Sequence, residues 1–368
     1  MINYLSLMVD VLKNGWSKSD RTGTGTISTF GRQMRFDLKK GFPIPTTCKK
    51  SLKSIVAELI WFLEGSTDNN RLNELGAKIW DEWALPNGDL GPIYGKQWVA
   101  WDDHKVISPE DRTKYEDMDY VMISNLDNGD ILMYRRINQI SNVIEGLREN
   151  PMSRRHVVTS WNPADAPIER RWAVDPTESV GAPPVRVKVS PQENVELGKA
   201  ALAACHTLFQ FNCRELSVEE RMVALSEDKR SLLELTPNMT PEETRAELLD
   251  ILDHLEAPKH ALSCQVYLRS QDVPLGTPYN IASYAILTHM IAQVTNMVPD
   301  ELIWVGGDVH IYKNQVAGVK EQLVRNTRNL PKLVIKRPEV RNIFDFKVDD
   351  FELEGYNPHP LIQFPISV

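Results

Sequence analysis

The sequence predicts an α+β protein, and three observations carry that prediction. Helical and strand-like patterns follow one another irregularly, without the strict strand–helix–strand repeat of a doubly wound sheet. Two helical stretches are apolar over most of their circumference and are therefore core helices. Several short runs rich in β-branched and aromatic residues read as strands.

Taken in order, Ile2, Leu5, Met8, Val9 and Leu12 fall at helical spacing, and Gly15 ends that helix. A turn-rich DRTGTG follows. ISTFGRQMRFDL is then a strand, with Ile27, Phe30, Met34 and Phe36 among polar residues. GFPIPTT is an extended loop, because Pro43 and Pro45 bias their neighbours away from helix. Ser51–Glu64 is a buried helix through Leu52, Ile55, Val56, Leu59, Ile60, Phe62 and Leu63, with one acid, Glu58, inside the apolar run. A buried acid is costly unless it has a partner or a role. Ile131–Leu147 follows a helical period through Ile137, Ile140, Val143 and Ile144. HVVTSW, HTLFQFNC, LSCQVYL and ELIWVG are strand-like, and YNIASYAILTHMIAQV is a second buried helix.

Three stretches differ from the rest. Residues 103–134 are polar and acidic, 165–199 contain five prolines, and 215–260 read as two charged helices joined by TPNMTPEE. Thr240 is placed there to cap a helix beginning at Pro241. These read as insertions into a single domain spanning residues 1–368.

Composition bounds the partners. The chain has 368 residues with 42 Lys+Arg against 50 Asp+Glu, a net charge of −8, so nucleic acid is not a default partner. Between Glu215 and His260 there are 12 acidic and 5 basic residues, so most of the imbalance belongs to that insertion. No apolar run approaches the roughly 20 residues of a membrane span, and the start MINYLSLMVDVLKNGW lacks the basic and long apolar regions of an export signal. Cys48, Cys205, Cys213 and Cys264 form no CxxC and no disulfide framework, which fits a reducing, cytoplasmic setting. HExxH, GxxxxGK[ST] and GxGxxG are absent, so metal hydrolysis, P-loop and Rossmann chemistry drop out and no metal is expected.

Three groups of residues carry chemistry. Cys205–His206 places a thiol beside an imidazole, which suits a nucleophile and equally suits a small buried residue at a strand start. Arg21, the pair Arg154–Arg155, and Arg269–Ser270 each sit beside hydroxyl or glycine residues, a setting for phosphate binding or for simple solvation. Trp80, Trp83, Tyr94, Asn280, His310 and Tyr312 would pack a core or hold a flat heteroaromatic ligand.

Together with DRTGTGT, ELIWFLEGST, IWDEWA, GDLGPIYGKQW, PMSRRHVV, SWNPAD, CHTLFQF, NIASYA, GGDVHIY and GYNPHP in that order, these residues make the sequence resemble the thymidylate synthase family. The resemblance covers the first hundred or so residues, Asn150–Asn162, the CHTLFQF segment and nearly all of Leu262–Val368. It implies a large twisted mixed sheet with surrounding helices, and a homodimer joined sheet to sheet. The implied reaction is reductive methylation of dUMP to dTMP, with 5,10-methylenetetrahydrofolate as one-carbon donor and reductant, giving dihydrofolate.

The same resemblance implies the roles. Cys205 would attack C6 of the pyrimidine. Arg21, Arg269, Ser270 and, from a second subunit, Arg154 and Arg155 would hold the 5′-phosphate; His206 and Gln210 join the nucleotide contacts. Asn280 would meet the N3–H and O4 edge of uracil, and His310 with Tyr312 the ribose 3′-hydroxyl. Glu58 and Tyr94 would act as general acid–base groups. Asp272 would hydrogen-bond the pterin and belongs to the catalytic and nucleotide-facing sets as well. Ile79, Trp80, Trp83, Leu275, Gly276 and Tyr279 would wall the folate site, closed by Val368.

Ala204, Leu268, Pro274, Thr277, Tyr279 and Cys48 depart from the family's usual pattern, mostly at the folate end. A pocket that admits water there would hydrate the methylene intermediate and give 5-hydroxymethyl-dUMP, so a dUMP hydroxymethylase is the alternative. An RNA-binding protein on the same fold is a remoter one, without a basic surface to support it.

Overall fold

The computed structural model describes residues 1–20, 23–173, 184–231 and 241–367 of the chain. Arg21, Val368 and Thr240, all singled out above, lie outside the described residues. Two compact units divide it: residues 1–59, 144–157 and 205–368 form one, and residues 60–143 and 158–204 the other.

The first unit is a mixed sheet with helices. Five strands lie here in the order Trp16–Lys18, Thr26–Asp37, Val298–Tyr312, His260–Asp272 and His206–Glu215. All neighbours pair antiparallel except His260–Asp272 with Val298–Tyr312, which run parallel. A parallel pair needs a crossover, and Gly276–Val294 supplies it as a helix. Fifteen of its nineteen residues are buried, as its mostly apolar, uncharged composition predicts.

The first helix, Ile2–Asn14, buries Tyr4, Leu7, Met8 and Val11, one face at helical spacing. It stops at Gly15, whose N–H donates to the Val11 carbonyl at 3.0 Å. A Cβ at Gly15 would lie 2.4 Å from that carbonyl oxygen and 2.7 Å from Ile27 Cγ2, so the turn into the sheet requires glycine. Within 215–260, the helices Val218–Ala224, Glu227–Arg230 and Pro241–His254 are present, and Val218, Leu225, Leu252 and Ala257 form a small core of their own.

In the second unit, Trp61, Phe62, Leu72, Trp80, Leu90, Tyr94 and Trp98 are buried. Strands Trp101–Ile107, Ile131–Ile137 and Val121–Asn125 form a three-stranded sheet over a cluster of Ile107, Tyr120, Ile131 and Met133. Arg170–Ala173 and Val185–Lys188 pair antiparallel.

One expectation is corrected here. The helix expected over Ile131–Leu147 is a strand, Ile131–Ile137, followed by a helix, Gln139–Glu149. Ile131 and Met133 bury on one side with period two and pair on both flanks, while Asn138 Oδ1 accepts the Ser141 N–H at 3.0 Å and starts the helix only there. The isoleucine spacing fitted both periods, and sheet partners distant in sequence decided between them.

Candidate active site

Strand register assembles the nucleotide half of the site in the first unit. Cys205 stands one residue before its strand, half-buried and not in a disulfide, and its carbonyl accepts the Arg269 N–H at 2.9 Å. The half-buried Arg269 and Ser270 thus neighbour the thiol through the backbone. Gly307 lets the next strand come close, since a Cβ there would lie 2.7 Å from the Arg269 carbonyl oxygen. The parallel register then sets Ser270 beside Asp308 and Asp272 beside His310.

Asp308, His310 and Tyr312 alternate along one strand and share a face. His310 Nδ1 lies 3.1 Å from Asp308 Oδ1, and the His310 and Tyr312 rings meet edge to face at 5.1 Å. The hydrogen bond from His310, with others from Lys18 and from Ser28 Oγ at 2.6 Å, holds the Asp308 carboxyl far below its ordinary range. Asp308 fixes the His310 ring through Nδ1.

A chain of buried amides sets Asn280. Thr277 Oγ1 donates to Gln271 Oε1 at 3.0 Å, Gln271 Nε2 donates to Asn280 Oδ1 at 2.9 Å, and Asn280 Nδ2 meets His206 Nε2 at 2.7 Å. Burial pushes the His206 imidazole down to about 4, so at neutral pH it is the uncharged acceptor this chain needs. One lone pair on Asn280 Oδ1 and one hydrogen on Nδ2 remain, the acceptor–donor pair that a uracil N3–H and O4 edge requires.

Asp272 anchors the other half. Its Oδ1 accepts the Leu275 N–H at 3.1 Å and its Oδ2 accepts Gln315 Nε2 at 2.8 Å, while burial holds the carboxyl above its ordinary value. Leu275 and the Gly276 and Tyr279 of the helix start follow within one turn. Glu58, only 8% exposed on the helix Leu52–Leu63, acts electrostatically on Tyr279, whose phenol is raised mainly by burial. Gln315 also donates to the Pro365 carbonyl at 3.1 Å, near the chain end. A carboxylate at the edge of an apolar turn suits a heterocycle whose ring nitrogens carry hydrogens, as a reduced folate does.

The second unit holds Ile79, exposed, and Trp80, Trp83 and Tyr94 in one aromatic cluster. Trp80 packs edge to face on Trp83 at 5.7 Å and on Tyr94 at 5.9 Å, and Tyr94 lies 5.0 Å from Phe62. Tyr94 lines a cavity with Gln97, Asn162, Asp165 and Ala204. Asp165 Oδ2 accepts Gln97 Nε2 at 2.7 Å and Asn162 Nδ2 at 2.9 Å.

Arg154 and Arg155 are exposed in the first unit, and Gln210 Nε2 donates to the Arg154 carbonyl at 3.1 Å. Sequence reasoning missed Asp308, Gln271, Gln315 and Lys50. Only Asp308 had a local signal, its i−2 position to His310 on a strand.

Among the described residues no group of three or more His, Cys, Asp or Glu is placed to hold a metal, and no helix is long and apolar enough to cross a membrane. A strand-end thiol, an arginine beside it and a buried amide with one acceptor and one donor to spare fit a transferase that acts on a pyrimidine nucleotide. The family model described as thymidylate synthase matches residues 2–368. Proteins named thymidylate synthase from two strains of Francisella tularensis subsp. holarctica are each 40% identical over 368 residues, covering 100% of this chain and of theirs. The chain belongs to the thymidylate synthase family. It is accordingly a methyltransferase of dTMP synthesis with methylenetetrahydrofolate as co-substrate, and the hydroxymethylase alternative is not favoured.

Proposed function

We propose that this chemistry is divided among the chain's residues as follows. Cys205 attacks C6 of dUMP, which makes C5 nucleophilic. Methylenetetrahydrofolate supplies the one-carbon unit and the hydride. Asn280 holds the uracil edge in the orientation its neighbours preset, and His310 with Tyr312 holds the ribose 3′-hydroxyl. Arg21, Arg269 and Ser270 bind the 5′-phosphate with Arg154 and Arg155 of a second copy, and the phosphate contacts of Arg269 keep positive charge beside the thiol. Glu58 orders protons near O4, Tyr94 assists loss of the C5 proton, and Asp272 orients the pterin. Ile79, Trp80, Trp83, Leu275, Gly276, Tyr279 and Val368 are the residues this reading assigns to the folate.

The single observation that carries this reading is the buried chain from Thr277 through Gln271 and Asn280 to His206, which leaves Asn280 one acceptor and one donor. The exposure of Arg154 and Arg155 supports a homodimer in which they complete the partner's phosphate site. We take residues 1–368 as one catalytic domain with insertions at 103–134, 165–199 and 215–260, working in the cytoplasm.

The test is to mix purified protein with dUMP and methylenetetrahydrofolate and weigh the nucleotide product. A gain of one methylene group is expected. A gain of that group plus oxygen, or no gain, would overturn the assignment.

A further inference from the structure

Lys50 is a buried lysine with no part in the chemistry above. It is 4% exposed, and among the described residues its Nζ has one hydrogen-bond acceptor, the Pro274 carbonyl at 3.1 Å. The ammonium also lies 5.6 Å from the ring centre of Tyr279 and 5.7 Å from that of Phe364, within cation–π range of both. Pro274 and Tyr279 bracket the turn that carries Leu275 and Gly276, and Phe364 belongs to the C-terminal segment. One ammonium therefore ties three parts of the folate half together.

We propose that Lys50 is a positioning residue of the folate half-site, pinning the Pro274–Tyr279 turn and the Phe364 ring, with its ammonium on the Pro274 carbonyl of the same peptide group whose Leu275 N–H donates to Asp272. The proposal rests on the folate assignment above. A buried ammonium with a single acceptor is expensive, and a packing role would be met by methionine at lower cost. The ammonium holds the Pro274 carbonyl at 3.1 Å while Asp272 holds the Leu275 N–H at 3.1 Å, so the two charges grip the two ends of one peptide group. Burial lowers the Lys50 ammonium, with Cys48 and Asp272 opposing; burial raises the Asp272 carboxyl, with Gln315, the Leu275 N–H, His310 and Lys50 opposing. The other titratable groups facing this pair are Tyr4, Tyr279 and Tyr356, whose hydroxyl accepts the backbone N–H of Lys50 at 3.1 Å. Removing the ammonium takes away a charge that favours ionised Asp272, so that carboxylate would protonate at a higher pH.

Lys50→Met keeps the length and apolar stem without the charge, and Lys50→Arg keeps the charge. For Lys50→Met the KM for methylenetetrahydrofolate should rise on the order of tenfold, as for loss of a charged hydrogen bond. The acid limb of kcat/KM for folate should move to higher pH, and dUMP affinity should stay within about twofold, since no nucleotide contact is touched. Lys50→Arg should restore the position of the acid limb even where its size disturbs the KM. An unmoved acid limb in Lys50→Met, or equal losses of dUMP and folate affinity, would overturn the proposal; so would a Lys50→Met protein that fails to fold while Lys50→Arg behaves as the methionine variant should. Absence of folate-dependent turnover in the unmodified protein would instead overturn the assignment on which the proposal rests.

Discussion

Thr277→Val tests the preset amide directly. Thr277 is fully buried, and its hydroxyl donates to Gln271 Oε1 at 3.0 Å and lies 3.2 Å from the Asp272 carbonyl oxygen. Valine fills the same volume, so no cavity is created and the change isolates the hydroxyl. It leaves a buried amide oxygen without its donor, at a cost of about 1–3 kcal/mol in stability. The effect should also reach the nucleotide. Freed from Thr277, the Gln271 amide is able to rotate, and Asn280 loses the donor that fixes its oxygen. Loss of one well-aligned neutral hydrogen bond to uracil is worth about 0.5–1.5 kcal/mol, a dUMP affinity roughly 2- to 12-fold weaker. Urea unfolding and titration with dUMP measure the two effects, and Thr277→Ser, which keeps the hydroxyl, should recover most of the second. A Thr277→Val protein with unchanged dUMP affinity would refute the reasoning, whatever its stability.

Other outcomes follow from the same structure. Asn280→Asp should weaken kcat/KM for dUMP by at least about tenfold and improve binding of dCMP, because a carboxylate has no donor for the uracil O4 but accepts from the cytosine amino group; competition between the two nucleotides measures it. Gly15→Ala should destabilise the protein by about 1–3 kcal/mol in urea unfolding, because the new Cβ strikes the Val11 carbonyl and the chain cannot give way there. His206 and His289 are held down to about 4 by burial, below the ~6.5 of an unfolded chain. The unfolded chain then binds more protons between those values, so their contribution is complete above about pH 6.5 and is lost as pH falls toward 4, on the order of 3 kcal/mol per histidine. Unfolding free energies measured at pH 7 and pH 4.5 should show that loss.

Local pattern made some of this fold legible and left the rest hidden. The helix Gly276–Val294 could be read directly, because nineteen residues without a charge have no other stable place. The strand Ile131–Ile137 could not, because Ile131, Ile137 and Ile140 satisfy a helical period and only partners at 101–107 and 121–125 impose the other. In the candidate site, Cys205, Asn280 and His310 were singled out by the motifs around them. Gln271 and Lys50 were not, since each acts on residues far along the chain: Lys50 meets Pro274 and Phe364 over more than two hundred positions. Asp308 stood in plain view at the strand period beside His310, and only its partner Lys18, from the far edge of the sheet, was beyond sequence reasoning.

The central claim is that Cys205 bonds covalently to the pyrimidine while the folate is engaged. A dUMP carrying fluorine at C5 cannot lose that substituent as a proton is lost, so the adduct should stall on the protein. Intact-mass measurement after incubation with that analogue and methylenetetrahydrofolate, followed by peptide mapping, reads the claim out. The expected result is one nucleotide and one folate per chain on the peptide that contains Cys205, absent in Cys205→Ser. An unmodified protein, or the same mass on a peptide bearing another cysteine, would contradict it.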